Sequence, residues 1–248
     1  MGALSGINRG APPIARFPGG EGACAEPNRR FFVAASMSHI VLLGDSIFDN
    51  AAYVRGGPDV VRQLRDALSE GWRATLCAVD GATTGSVPPQ LAGMPRDATH
   101  LVLSVGGNDA LGASGLLYAP SRSVADAVAT LAEVQDAFEA AYARMLEKVL
   151  ALGLPTALCT IYDTPSFAPD HRVIKTALSL FNDRITRAAF SRGLPLVDLR
   201  LICSDDADYA NPIEPSTTGG AKMAAAIARL AAGPAGDWRR PLVVTGPE

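Results

Sequence analysis

Three short stretches end an apolar run with small residues and one polar side chain: GDS (44 to 46), DGATTG (80 to 85) and GGND (106 to 109). Ser46 is a potential nucleophile. Glycine lets backbone N–H groups approach a ligand closely, and Asn108 adds a side-chain donor, so Gly81, Asn108 and the Ser46 N–H can together hold an oxyanion. A fourth stretch, DYANPIEPSTTGGAKMA (208 to 224), places the carboxylate of Glu214 three residues after the amide of Asn211 and just before an apolar helical pattern. Nucleophile, oxyanion donors and base are the parts of nucleophilic catalysis.

These residues need a scaffold that brings distant turns to one place. From Ile40 the chain alternates short apolar runs with longer segments of helical period, the pattern of a parallel sheet covered by helices on both faces. The strands are expected at HIVLLGDS, ATLCAVDG, HLVLSVGGND, PTALCTIYD and LPLVDLRLI. That makes a three-layer α/β/α fold with a mainly parallel five-stranded sheet, flavodoxin-like in architecture. Helices are expected over DVVRQLRDALSEG, Ser123 to Leu152, Val173 to Ser191 and TTGGAKMAAAIARLAAG, with Val128, Leu131, Val134, Phe138, Tyr142, Met145 and Val149 forming a core stripe. Ligands in such sheets bind beyond the carboxyl ends of the strands, so the three glycine turns share one rim. A helix starting after Ser46 would add positive partial charge there.

The 248 residues, 48% hydrophobic and 19% charged, suit one large domain. Residues 1–36 are rich in Gly, Pro and Arg and read as a disordered or misannotated extension, 37–235 as the domain, and 236–248 as a tail that packs on the surface or frays. A net charge of -3 without a basic run argues against nucleic acid or an anionic membrane as partner, and no apolar stretch approaches a membrane span. A small-molecule partner is expected. The four cysteines are widely spaced, which suggests neither a disulfide framework nor a zinc site and fits a reducing cytoplasm.

At Gly44-Asp45-Ser46, Gly81 and Gly106-Gly107-Asn108-Asp109 the sequence resembles the SGNH/GDSL hydrolase family, over nearly the whole chain from Met37. The resemblance implies a serine esterase or acylhydrolase with Ser46 as nucleophile and Gly81 and Asn108 as oxyanion donors. That family ends on Asp-x-x-His-Pro-Ser. Here the frame is kept by Pro215-Ser216, but Glu214 stands at the histidine position and Asn211 at the aspartate position.

The base is therefore open. His39 and His100 precede their strands and, at about 3.3 Å per residue, lie roughly 20 Å or more from Ser46. His171, in the loop after the fourth strand, is an alternative base if that loop folds across the site. Glu214 is weaker than histidine at neutral pH by up to about a hundredfold unless burial raises its pKa. Asn211 is expected to donate a hydrogen bond that keeps Glu214 ionised. The first reading is a hydrolase of a small ester or acetylated substrate, working without cofactor or metal. The second is a weak or inactive ligand-binding or regulatory module on the same fold. A third, a site for a divalent cation or a cationic substrate among Asp45, Asp49, Asp80, Asp109, Asp163 and Glu214, lacks any fixed ligand spacing.

Overall fold

The computed structural model describes residues 37–246, so the extension read at residues 1–36 lies outside the described residues. Within that span β1 (Ser38–Gly44), β2 (Trp72–Leu76), β3 (His100–Ser104), β4 (Thr156–Cys159), β5 (Pro195–Val197) and β6 (Leu242–Val244) form one sheet in the order β2-β1-β3-β4-β5-β6. Every pairing is parallel.

The side-chain alternation of a strand explains the two cores. In β1, Ile40 and Leu42 join one apolar cluster, and Val41 and Leu43 the other. The first cluster packs under α1 (Val60–Ala67) and α7 (Thr217–Ala232) through Val60, Leu64, Met223 and Ile227. The second packs under α4 (Val124–Leu150) and α5 (His171–Ser191) through Phe138, Leu146, Phe181 and Ile185. Each such side chain removed from water stabilises by roughly 1.5–3 kcal/mol, so the apolar strands are held from both faces.

Local chemistry sets the boundaries. Asp59 caps α1 by accepting from the Arg62 N–H, Ser123 caps α4 through the Asp126 N–H, and Ser216 caps α7 through the N–H groups of Thr218 and Gly219. The run LPLVDLRLI does not stay extended. Asp198 accepts from the Arg200 N–H and starts the short α6 (Leu199–Ile202), which limits β5 to three residues. Gly107–Ala113 forms α3, and Val87–Ala92 forms α2.

The sheet has six strands rather than the expected five. The tail supplies the sixth, with Leu242, Val243 and Val244 pairing with Pro195, Leu196 and Val197. An aromatic anchor precedes it: Trp238 is buried and packs on His100 at 4.7 Å, with Trp72 on the other side of that imidazole at 4.8 Å. Among the described residues, no helix is long and apolar enough to cross a membrane.

Candidate active site

Strand order locates the crevice. From β1 the chain goes to β2 on one side and then crosses to β3 on the other, so the loops after β1 and β3 diverge and leave an opening at their carboxyl ends. Ser46 and Asn108 flank that opening, and both line the cavity found there.

The Ser46 turn is forced by close backbone packing. Gly44 has φ +125, and a Cβ there would fall 1.7 Å from the Ser104 carbonyl oxygen, so β1 can end against β3 only with glycine. The Gln90 side chain on α2 clamps the same residue, donating to the Gly44 carbonyl at 2.7 Å and accepting its N–H at 2.9 Å. The N–H groups of Phe48 and Asp49 then bond back to the Asp45 carbonyl at 3.2 Å. No regular helix follows Ser46, because the next one begins at Val60; the expected positive helix end at Ser46 is absent, and Ser46 caps nothing.

Two backbone N–H groups of these turns are free to donate. Neither the Ser46 nor the Gly81 N–H donates to a protein acceptor among the described residues. Gly81 holds φ +76 in the turn after β2 and lines a separate pocket with Asp80, Ala82, Ser86 and Gln90. Asp109 fixes that turn from the β3 side by accepting from the Thr84 N–H at 3.0 Å and the Thr84 hydroxyl at 2.7 Å. Asn108 donates one amide hydrogen to the Ala82 carbonyl at 3.0 Å, which leaves its second for a ligand.

Glu214 comes next to the Ser46 hydroxyl. Its loop is built by Asn211, whose side-chain oxygen accepts from the N–H groups of Ile213 at 2.8 Å and Glu214 at 2.9 Å. Asn211 was expected to donate to the Glu214 carboxylate; instead it shapes the turn that carries it. Three more residues anchor this loop, and the sequence pattern had not singled them out. Tyr162 donates to the Ile213 carbonyl, Thr164 donates to the Pro212 carbonyl at 3.1 Å, and fully buried Asn50 donates to the Pro215 carbonyl at 3.4 Å while accepting the Val60 N–H at 3.0 Å.

Glu214 is 6% exposed, and its Oε2 has no hydrogen-bond partner. Burial raises its pKa, a Ser46 hydroxyl close enough to act as a donor lowers it, and the charge of Asp80 raises it again. The Ser46–Glu214 contact lacks the geometry of a full hydrogen bond, as catalytic pairs often do without substrate. Asp45 is more strongly affected. Burial, with smaller contributions from the charges of Glu214 and Asp109, pushes its carboxyl up to about 8 against the help of the Ile47 N–H.

The histidines lie elsewhere. His39 and His100 open their strands at the amino edge of the sheet, and buried His39 sits between Asp97 at 3.1 Å and Thr75 at 2.8 Å. His171 is the first residue of α5, acts electrostatically on Asp206, and neither lines the cavity nor bonds to Ser46. Among the described residues, no group of three or more His, Cys, Asp or Glu side chains is placed to hold a metal.

The cavity has a volume of about 360 Å³ and runs from Ser46 and Asn108 between α3, α4 and α5. Its far walls are Leu131, Val134, Ile174, Leu178 and Phe181. Helical spacing had assigned Leu131 and Val134 to the core stripe; both are only partly buried and line the cavity, and Val128, from the same expected stripe, is 58% exposed. Leu117 and Tyr118, from the segment after the asparagine turn, complete the wall on that side.

Solved structures repeat this architecture. The extracellular lipase of Streptomyces rimosus is 15% identical, with a TM-score of 0.59 over 78% of this chain and 99% of that one. A lipase from a goat rumen metagenome is 18% identical, with a TM-score of 0.61 over 79% and 97%. Phospholipase A1 of Streptomyces albidoflavus is 17% identical, with a TM-score of 0.57 over 76% and 97%. At these identities the likeness concerns the fold. No curated protein matches the chain. The GDSL-like lipase/acylhydrolase family model, however, matches residues 42–222, a span that starts just before the serine turn and runs past the Glu214 loop, and the chain belongs to that family.

Proposed function

We propose that this protein is a serine hydrolase that cleaves an ester with an apolar acyl group, using Glu214 as base. Ser46 Oγ attacks the carbonyl carbon while its proton passes to Glu214. The carbonyl oxygen, now negative, is met by the N–H groups of Ser46 and Gly81 and by the free amide hydrogen of Asn108. Glu214 returns the proton to the departing alkoxide, and the acyl group remains on Ser46. Water then attacks that acyl-enzyme and gives its proton to Glu214; as the tetrahedral adduct collapses the acid is released and Glu214 passes that proton to Ser46 Oγ, which restores the free enzyme.

One observation carries this reading: the Ser46 hydroxyl lies beside a buried carboxylate, with unoccupied N–H groups at Ser46 and Gly81. The cavity favours an apolar acyl group over acetyl alone, since about 360 Å³ is within the ~300–1,000 Å³ typical of small-molecule sites. The free thiols of Cys77, Cys159 and Cys203 support a cytoplasmic location.

The test is hydrolysis of p-nitrophenyl esters of acetic to decanoic acid by wild type, Ser46→Ala, Glu214→Gln and His171→Ala. The expected losses are on the order of 10³-fold or more for Ser46→Ala and about 10²-fold for Glu214→Gln, with His171→Ala unchanged. A Ser46→Ala variant as fast as wild type sinks the reading. The incomplete Ser46–Glu214 hydrogen bond favours one competitor, a binding module with an idle serine; folded wild type and Ser46→Ala would then be equally inert.

A further inference from the structure

Beside Ser46 the wall of the cavity is not wholly apolar. Asp45 lines it together with Val105, Gly107 and Ile161, although the residue is only 2% exposed. Its two carboxyl oxygens have different surroundings. Oδ1 accepts the Ile47 N–H at 3.2 Å and holds the turn. Oδ2 lies 3.9 Å from where a Cβ on Gly107 would stand and takes no hydrogen bond from any described residue; unlike Oε2 of Glu214, it is not sealed from open space. The space it borders is the cavity. An asparagine would hold the turn through its single oxygen equally well, so the turn does not account for the second one. A polar atom left without a partner in a buried wall costs stability until something bonds it.

The chemistry of this carboxyl selects its partner. Burial, with smaller contributions from the charges of Glu214 and Asp109, pushes it up to about 8, so near neutral pH Oδ2 carries the proton and can donate as well as accept. A single neutral carboxyl does not attract a cation. In a cavity that continues between apolar helices it matches a hydroxyl, which can serve either role. Chain geometry sets where that hydroxyl must be. Consecutive Cα atoms are about 3.8 Å apart, and Asp45 and Ser46 line one cavity. An acyl group with its carbonyl carbon at Ser46 Oγ therefore carries its second and third carbons past Asp45.

We infer that Asp45 is a specificity-determining residue that bonds a hydroxyl on the second or third carbon of the acyl group, so that the esters taken by this site are those of hydroxy fatty acids, apolar beyond that hydroxyl. This rests on the serine-hydrolase reading, which fixes the end of the ester that enters the cavity. The bonds made and broken are unchanged, and the hydroxyl leaves with the acid.

The experiment compares p-nitrophenyl esters of octanoic, α-hydroxyoctanoic and β-hydroxyoctanoic acid and of the isomer with its hydroxyl at the chain end, each rate divided by that ester's rate with hydroxide alone. Wild type should favour the better of the α- and β-hydroxy esters over octanoate by about tenfold in kcat/KM, the effect of one buried hydrogen bond, and should disfavour the chain-end isomer. Asp45→Ala should bring the ratio near one. Asp45→Asn keeps an oxygen for the Ile47 N–H and a donor for the hydroxyl, so it should keep most of the preference. Damage that slows every ester alike does not move the ratio, and the wild-type comparison needs no variant to fold. Equal kcat/KM for octanoate and both hydroxy esters, an equal preference for the chain-end isomer, or a wild-type ratio in Asp45→Ala overturns the inference and leaves the hydrolase reading standing. If no ester turns over, the hydrolase reading fails separately, and calorimetric titration with methyl octanoate and its α- and β-hydroxy forms decides: tighter binding of a hydroxy form that Asp45→Ala abolishes supports the Asp45 site, and equal binding or none overturns it.

Discussion

Asn50 joins the Ser46 turn to the loop that carries Glu214, so replacing it tests whether that link holds the site together. It is fully buried, accepts the Val60 N–H at 3.0 Å and donates to the Pro215 carbonyl at 3.4 Å. Asn50→Ala strands the N–H of a residue that is itself 0% exposed, where water cannot replace the lost acceptor. A buried unsatisfied donor costs about 1–3 kcal/mol. The Pro215 carbonyl loses a long bond and adds less than about 1 kcal/mol. A total near 2–3 kcal/mol corresponds to a Tm lower by about 5–10 °C in a domain of this size. Thermal unfolding of purified protein measures the first effect. The second is on catalysis: a loosened Pro215 shifts Glu214 relative to Ser46, and kcat on a neutral ester should fall by about tenfold with little change in KM. A Tm within 1 °C of wild type would refute the hydrogen-bond accounting. A Tm that falls while kcat stays constant would refute the claim that Asn50 positions the base loop.

The Asp45 carboxyl, pushed up to about 8 in the folded protein from an ordinary 3.8, binds its proton more tightly folded than unfolded. Its contribution is therefore fully present below about pH 4 and is lost as pH rises through 8, and at ~1.4 kcal/mol per tenfold change in proton affinity the upper bound is about 6 kcal/mol. Asp45→Asn should flatten this dependence and gain stability over wild type at pH 8 relative to pH 5 in urea titrations; parallel curves for the two proteins would contradict it. Lys222 bonds Asp208, which is 0% exposed, and Asp205, so Lys222→Met leaves a buried carboxylate uncompensated and should cost about 3 kcal/mol in the same assay. A cost below about 0.5 kcal/mol would show that water reaches Asp208.

The layered architecture was legible because buried parallel strands read as short apolar runs and the covering helices as 3.6-residue periods. The glycine turns were legible for a physical reason too: Gly44 and Gly81 hold positive φ, and Gly44 has no room for a Cβ. Other features lay beyond the pattern. Strand β6 has three residues and depends on a partner and on the Trp238 anchor, neither visible in local periodicity. The cavity was hidden because Leu131, Val134, Leu178 and Phe181 have the same spacing whether they meet each other or enclose a space. Asn50 and Gln90 left only a faint trace, as polar amides in otherwise apolar surroundings; that both grip backbone at the site is long-range information.

Glutamate in place of histidine works as a base at neutral pH only if the protein makes up the difference in proton affinity, about two pH units between ordinary side chains. Burial and the charge of Asp80 raise the Glu214 pKa, and the Ser46 hydroxyl opposes them. In the proposed mechanism the reaction needs ionised Glu214, so kcat/KM falls as pH drops through the raised pKa. Asn211 belongs to this balance through what it lacks. Its side-chain oxygen accepts from the Ile213 and Glu214 N–H groups, a task an aspartate oxygen performs equally well. An aspartate would add one negative charge three residues from Glu214 and favour the protonated carboxyl further. Asn211→Asp should therefore keep the loop, with a Tm close to wild type, while moving the acid limb of the pH–rate profile to higher pH. An unchanged profile would mean that the neutral residue at 211 is incidental to the base.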